Sequence, residues 1–218
     1  MFWQEKAVSH IRQIFPAQTG VLVDHIRAAA RLGRSESICR RIAQTKSTEQ
    51  ILDYFAEVRF GLLFAHLRFA TGFEPLGLKG PDLSISRDGH SAYVEVKRFR
   101  SDGHAEEICH DQLTPYGNPA KDIKKVLDGI IDKFKQLDYG NGVVALCSDH
   151  NDLEELEFEF AMKDIVLDSG TGIRELSDTL LFCVYAPAWR RVGQRIYAEP
   201  FKKLSEPFLI WVDDLRRL

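Results

Sequence analysis

Pro81-Asp82-Leu83-Ser84-Ile85-Ser86-Arg87-Asp88-Gly89-His90-Ser91-Ala92-Tyr93-Val94-Glu95-Val96-Lys97 is the stretch whose reading decides the fold. Asp-Gly is a strong hairpin signal, because a type I′ turn needs positive φ at both central residues. With Asp88-Gly89 as the whole turn, Arg87 faces His90, Ile85 faces Ala92, Leu83 faces Val94 and Asp82 faces Glu95. The last pair falls at a non-hydrogen-bonded position, where opposed Cα atoms are about 4.5 Å apart. Lys97 lies two residues past Glu95 and shares its face. The other face collects Leu83, Ile85, Ala92, Val94 and Val96, which is a core face.

One side of the hairpin thus carries two carboxylates and an amine. Directly opposed like charges destabilise a sheet. A divalent cation or a shared proton would relieve them. Oxygen ligands suit a hard ion such as Mg²⁺, which keeps waters for use as a nucleophile. On a solvent-facing hairpin, Glu95 and Lys97 would instead be ordinary surface charges.

Outward from the hairpin the chain alternates helix and strand. Residues 2–15 read as an amphipathic helix closed by Pro16, and residues 21–45 as helical with a break near Gly33. Ser47-Thr48-Glu49-Gln50 has the form of a capping box. The helix it opens is expected to run to about Thr71 and stop at Gly72. A strand at Phe73–Leu78 would precede the hairpin. A polar loop follows over 100–119, then a helix over 120–138, a buried strand Val143–Ser148, an acidic helix over 152–167 and a strand Leu180–Ala186. Phe208–Val212 reads as one more strand. This order suits an α/β core with a mixed central sheet.

Composition bounds the answer loosely. The chain has 218 residues, 44% of them hydrophobic, which is enough for one good core. No apolar run reaches membrane-spanning length, and the start lacks the form of a secretory signal. Cys39, Cys109, Cys147 and Cys183 are scattered, with Cys147 and Cys183 in apolar runs that suit core thiols. A reducing, cytoplasmic setting is expected. The net charge of −3 does not advertise nucleic-acid binding, although charge location matters more than its sum.

Pro81-Asp82, a spacer of twelve residues and Glu95-Val96-Lys97 together resemble the signature of the PD-(D/E)XK nuclease superfamily. The resemblance covers roughly residues 47–148, by motif and element order. It implies a restriction-endonuclease-like fold: a mixed central sheet flanked by helices in residues 47–218, with residues 1–46 as a helical N-terminal extension. It also implies a metal-dependent nuclease, with DNA as the expected substrate and Mg²⁺ or Mn²⁺ as cofactor. Asp82, Glu95 and the backbone carbonyl of Val96 would hold the metal. Lys97 would orient the attacking water and stabilise charge on the phosphate. Glu57, on the helix before the hairpin, fits the glutamate the family tends to place there, reaching the metal directly or through a water. As an exposed helical residue it would simply pair with a nearby base. Gly61, a turn later, would permit a close approach by sheet, substrate or another helix.

Outside the motif, Arg27, Arg31 and Arg34 recur at helical spacing and, with Arg40, Arg41 and Lys46, offer a row for a phosphate backbone. The same row would serve as a solvated face. Lys121, Lys124 and Lys125 open a helix where they oppose its dipole, which suits a phosphate partner or plain solubility. His104, Cys109, His110 and Asp111 are too irregularly spaced for a structural metal and suit a substrate-contacting loop better. The N-terminal helices could seat a second copy or another protein. Against the nuclease stands a non-catalytic nucleic-acid- or protein-binding module on the same fold.

Overall fold

The computed structural model describes residues 2–77, 80–100, 124, 128, 129, 133, 137, 140–148, 158–163, 180–186 and 196–218. The expected α/β class with a mixed sheet is present. Six strands form one sheet in chain order: β1 (Ala70–Phe73), β2 (Leu83–Arg87), β3 (His90–Phe99), β4 (Gly142–Ser148), β5 (Leu180–Tyr185) and β6 (Tyr197–Pro200). The helices are α1 (Phe2–Ile14), α2 (Thr19–Ala29), α3 (Ser35–Gln44), α4 (Thr48–His66) and α5 (Glu206–Arg216), with further helical residues at 158–163. No helix among the described residues is long and apolar enough to cross a membrane. The chain divides into two compact units, residues 1–96 with 139–141, and residues 97–138 with 142–218.

In the first unit, α1 to α3 bury Val8, Ile11, Leu22, Ile26, Ile38 and Ile42 at helical spacing. Between α2 and α3, the Gly33 amide donates to Thr71 O at 2.9 Å, and Phe73 N donates to Gly33 O at 3.0 Å. This short bridge covers the outer edge of β1. A Cβ on Gly33 would stand 3.1 Å from Thr71 O, so glycine is what allows the approach. Gly61 of α4 is used in a related way. A Cβ there would lie 3.1 Å from the Phe73 ring, so sheet and helix meet closely at this point.

Helix α4 begins as the capping box predicts, with Gln50 N donating to Ser47 Oγ at 3.3 Å. The return bond goes elsewhere: Thr45 Oγ1 donates to Gln50 Oε1 at 2.8 Å. The helix ends at His66, not near Thr71. Arg68 takes a left-handed φ of 64° and Phe69 N returns to Phe64 O, which turns the chain into β1. Gly72 is therefore a strand residue paired with Ser84, not a helix stop. Beyond Phe73 the expected strand gives way to a turn. Glu74 has φ 44°, and Gly77 N donates to Glu74 O at 3.0 Å.

In the second unit, β4 and β5 are buried along their whole lengths and pair in parallel. Their continuous apolar sequences are what a strand covered on both faces requires. Strand β6, which the sequence reading missed, pairs antiparallel with β5. Cys147 and Cys183 are buried, as expected, and so is Cys39 in the first unit. The C-terminal segment is helical where a strand was expected. Pro207 sits in the first turn of α5, and Phe208, Trp211, Val212 and Leu215 are buried at helical spacing. Arg216 Nε fixes the helix end to Ala198 O at 2.8 Å.

Candidate active site around Asp82

The hairpin forms in the expected register. Asp88 and Gly89 have φ 54° and 80°, the type I′ signature. Arg87 pairs with His90, Ile85 with Ala92 and Leu83 with Val94. Leu83, Ile85, Ala92, Val94 and Val96 are all buried. Asp82 stands one position outside the ladder, where the register carries it opposite Glu95. Its carboxylate reaches across to β3: Val96 N donates to Oδ2 at 2.8 Å. The contact to Val96 is thus through its amide, on the peptide preceding the carbonyl named as a metal donor. Glu95 is only 2% exposed, so it is not a surface charge. Lys97 follows at the next same-face position of β3 and is half-buried.

Glu57 comes from the buried face of α4 and is 6% exposed. It pairs with the Arg41 guanidinium at the end of α3. Burial raises the proton affinity of Glu57 well above the carboxylate norm. The nearby Asp82 charge raises it further, Arg41 opposes both, and Glu74 adds a smaller increase. Arg41 lies 4.4 Å from the Tyr54 ring centre, a cation–π contact. Burial also raises the Tyr54 hydroxyl pKa, with Arg41 again opposing.

Glu74 completes the group. It is 5% exposed, and its main-chain amide donates to Asp82 O at 2.9 Å. Arg41 Nε lies 3.0 Å from Glu74 Oε1. That contact is an ion pair without hydrogen-bond alignment, since both atoms are buried and neither makes a hydrogen bond. Asp82 is thus the shared element. It faces Glu95 across the hairpin, its backbone holds Glu74, and its charge acts on Glu57.

The sequence reading placed Arg41 in a phosphate-contacting row outside the site, and it did not single out Glu74. A signal for Arg41 existed: it lies between Ile38 and Ile42, beside the buried stripe of α3. Glu74 had none, because its place depends on the turn after β1. The arginine row does not form on one helix. Helix α2 ends at Ala29, so Arg31 lies beyond it. Arg34 takes φ 55° before α3 and donates to Pro75 O at 3.0 Å, while Arg27 lies 3.7 Å from Asp24. Lys124 is helical and exposed. Lys121, Lys125, His104, Cys109, His110 and Asp111 lie outside the described residues.

The donors around Asp82 are all oxygens, the chemistry a hard cation needs. The buried Glu74 Oε1 that makes no hydrogen bond is a place such an ion would suit. Among the described residues no three His, Cys, Asp or Glu side chains are already grouped to hold a metal. The fit is therefore to a cation held by the opposed Asp82 and Glu95, with Glu57 engaged by Arg41. No family model, no curated protein and no solved structure matches the chain.

Proposed function

We propose that this chain is a metal-dependent phosphodiesterase of the restriction-endonuclease-like kind, cutting nucleic acid, with DNA the first substrate to test. The observation that carries the reading is the hairpin register, which brings Asp82 opposite a buried Glu95 while Glu57 approaches Asp82 from the preceding helix. Asp82, Glu95 and the Val96 carbonyl would hold Mg²⁺ or Mn²⁺. The ion would polarise the phosphate and make water a usable nucleophile. The chain's own work is to hold these oxygens together at the base of the hairpin, with Glu95 and Val96 buried and Asp82 half-buried. Lys97 contributes a positive charge on the same strand face, suited to a phosphate oxygen. Glu57, whose proton affinity burial and the Asp82 charge raise, is suited to hold or pass a proton beside the metal ligands.

The test is incubation of purified protein with plasmid, linear duplex, single-stranded DNA and RNA, with Mg²⁺ or with EDTA. Cleavage is expected in Mg²⁺ only, and is expected to vanish in Lys97→Ala and Asp82→Asn with the fold intact. Wild-type cleavage by both variants would remove this site from the reaction. A wild type that binds nucleic acid but cuts none of the substrates would favour a non-catalytic binding module. The observation on that side is Arg41, which already occupies Glu57.

A further inference from the structure

Arg41 spans two carboxylates from different elements, Glu57 on α4 and Glu74 in the turn after β1. The two contacts differ in quality. The Glu57 contact is a hydrogen-bonded ion pair, whereas Nε and Glu74 Oε1 are 3.0 Å apart, buried and not hydrogen-bonded. A guanidinium donates only along fixed in-plane directions. At Glu74 it supplies charge without direction, so a buried carboxylate oxygen retains much of its desolvation cost. A divalent ion carries twice the charge and accepts oxygens from several sides. The Glu74 amide is bonded to Asp82 O, which holds this carboxylate's backbone against the residue proposed as a metal ligand.

We infer that Arg41 is a built-in counterion that a divalent cation displaces, and that Glu74 then serves as a further oxygen ligand beside Asp82. The inference rests on the metal reading above and adds two residues to it. Arg41 contacts both Glu57 and Glu74, so an ion entering beside Asp82 would meet a guanidinium already on these carboxylates. Metal-free protein is held together by the guanidinium. Metal-loaded protein frees it to face solvent or a substrate phosphate.

Mn²⁺ titration calorimetry on wild type, Arg41→Met and Glu74→Gln tests this, with melting curves in Mn²⁺ and in EDTA. Arg41→Met should bind Mn²⁺ about tenfold tighter or more, because no competing cation has to leave. Its Tm should fall in EDTA and recover in Mn²⁺. Glu74→Gln should bind about tenfold more weakly while keeping its fold, since Arg41 still pairs with Glu57. Should Arg41→Met fail to fold in EDTA, Arg41→Lys serves instead, with an affinity between wild type and the expected Met value. An unchanged affinity in the Arg41 variant overturns the displacement, and an unchanged affinity in Glu74→Gln overturns the added ligand. Either result leaves the Asp82–Glu95 metal reading standing if wild type binds Mn²⁺. No Mn²⁺ binding by wild type or variants overturns both.

Discussion

Asp82 raises the proton affinity of Glu57, and a single substitution can remove that influence. Asp82→Asn should lower the titration midpoint of the Glu57 carboxyl, followed by its side-chain carbon shift in NMR. An unmoved midpoint would mean that the two groups do not act on each other. The variant should also melt no lower than wild type without metal, because it relieves repulsion while Asn can still accept from Val96 N. At this scale the sequence revealed that Asp82 and Glu95 come opposite each other with Lys97 on the same strand face, because an Asp-Gly turn converts spacing into facing. It did not reveal the partner of Glu57. Arg41 and Glu74 meet only once α3 and the end of β1 have packed, and neither distance along the chain nor residue type announces that.

The hairpin is the element on which the site depends, and its two determinants can be tested separately. Leu83 is fully buried opposite Val94, so Leu83→Ala should cost about 2–5 kcal/mol in urea unfolding. Any loss of activity in that variant should follow the unfolded fraction. Gly89 has φ 80° with open space where a Cβ would go, so Gly89→Ala tests backbone conformation alone. Its expected cost is roughly 1–2 kcal/mol. A neutral Gly89→Ala would imply that the turn tolerates another geometry, and with it another register. Elsewhere, element boundaries were less legible. Apolar residues continue past His66 at helical spacing, and only the left-handed Arg68 ends the helix early. Phe208-Leu209-Ile210-Trp211-Val212 hides its period because Leu209 and Ile210 are apolar yet exposed, so a helix looks like a buried strand.

For the molecule as a whole, two groups give stability opposite dependences on pH. Glu57 titrates higher in the fold than its ordinary 4.5. Its contribution is complete below that value and is lost as pH rises through the raised folded midpoint. His25 titrates lower than its ordinary 6.5, through burial and the Arg59 charge, and its Nδ1 is buried without a hydrogen bond. Its contribution is present above 6.5 and is lost as pH falls through the lowered folded midpoint. Urea unfolding across this range should therefore separate under substitution. Glu57→Gln should remove the loss on the alkaline side, and His25→Gln the loss on the acid side. Parallel profiles for wild type and either variant would contradict the assigned shift. The α/β class was legible in the order of helix, hairpin and buried strand along the chain. The division into two units was not, since the boundary falls inside β3 and not at any break in composition.

Glu74 turns the chain with φ 44°, a conformation glycine adopts freely and a side-chain-bearing residue adopts at a cost. Laboratory evolution offers a way to read that choice. In a library randomised at position 74 and sorted only for heat resistance, glycine and asparagine should become the majority. In the same library sorted for DNA cleavage, glutamate should return, and the divergence between the two populations would record what this one backbone angle is kept for.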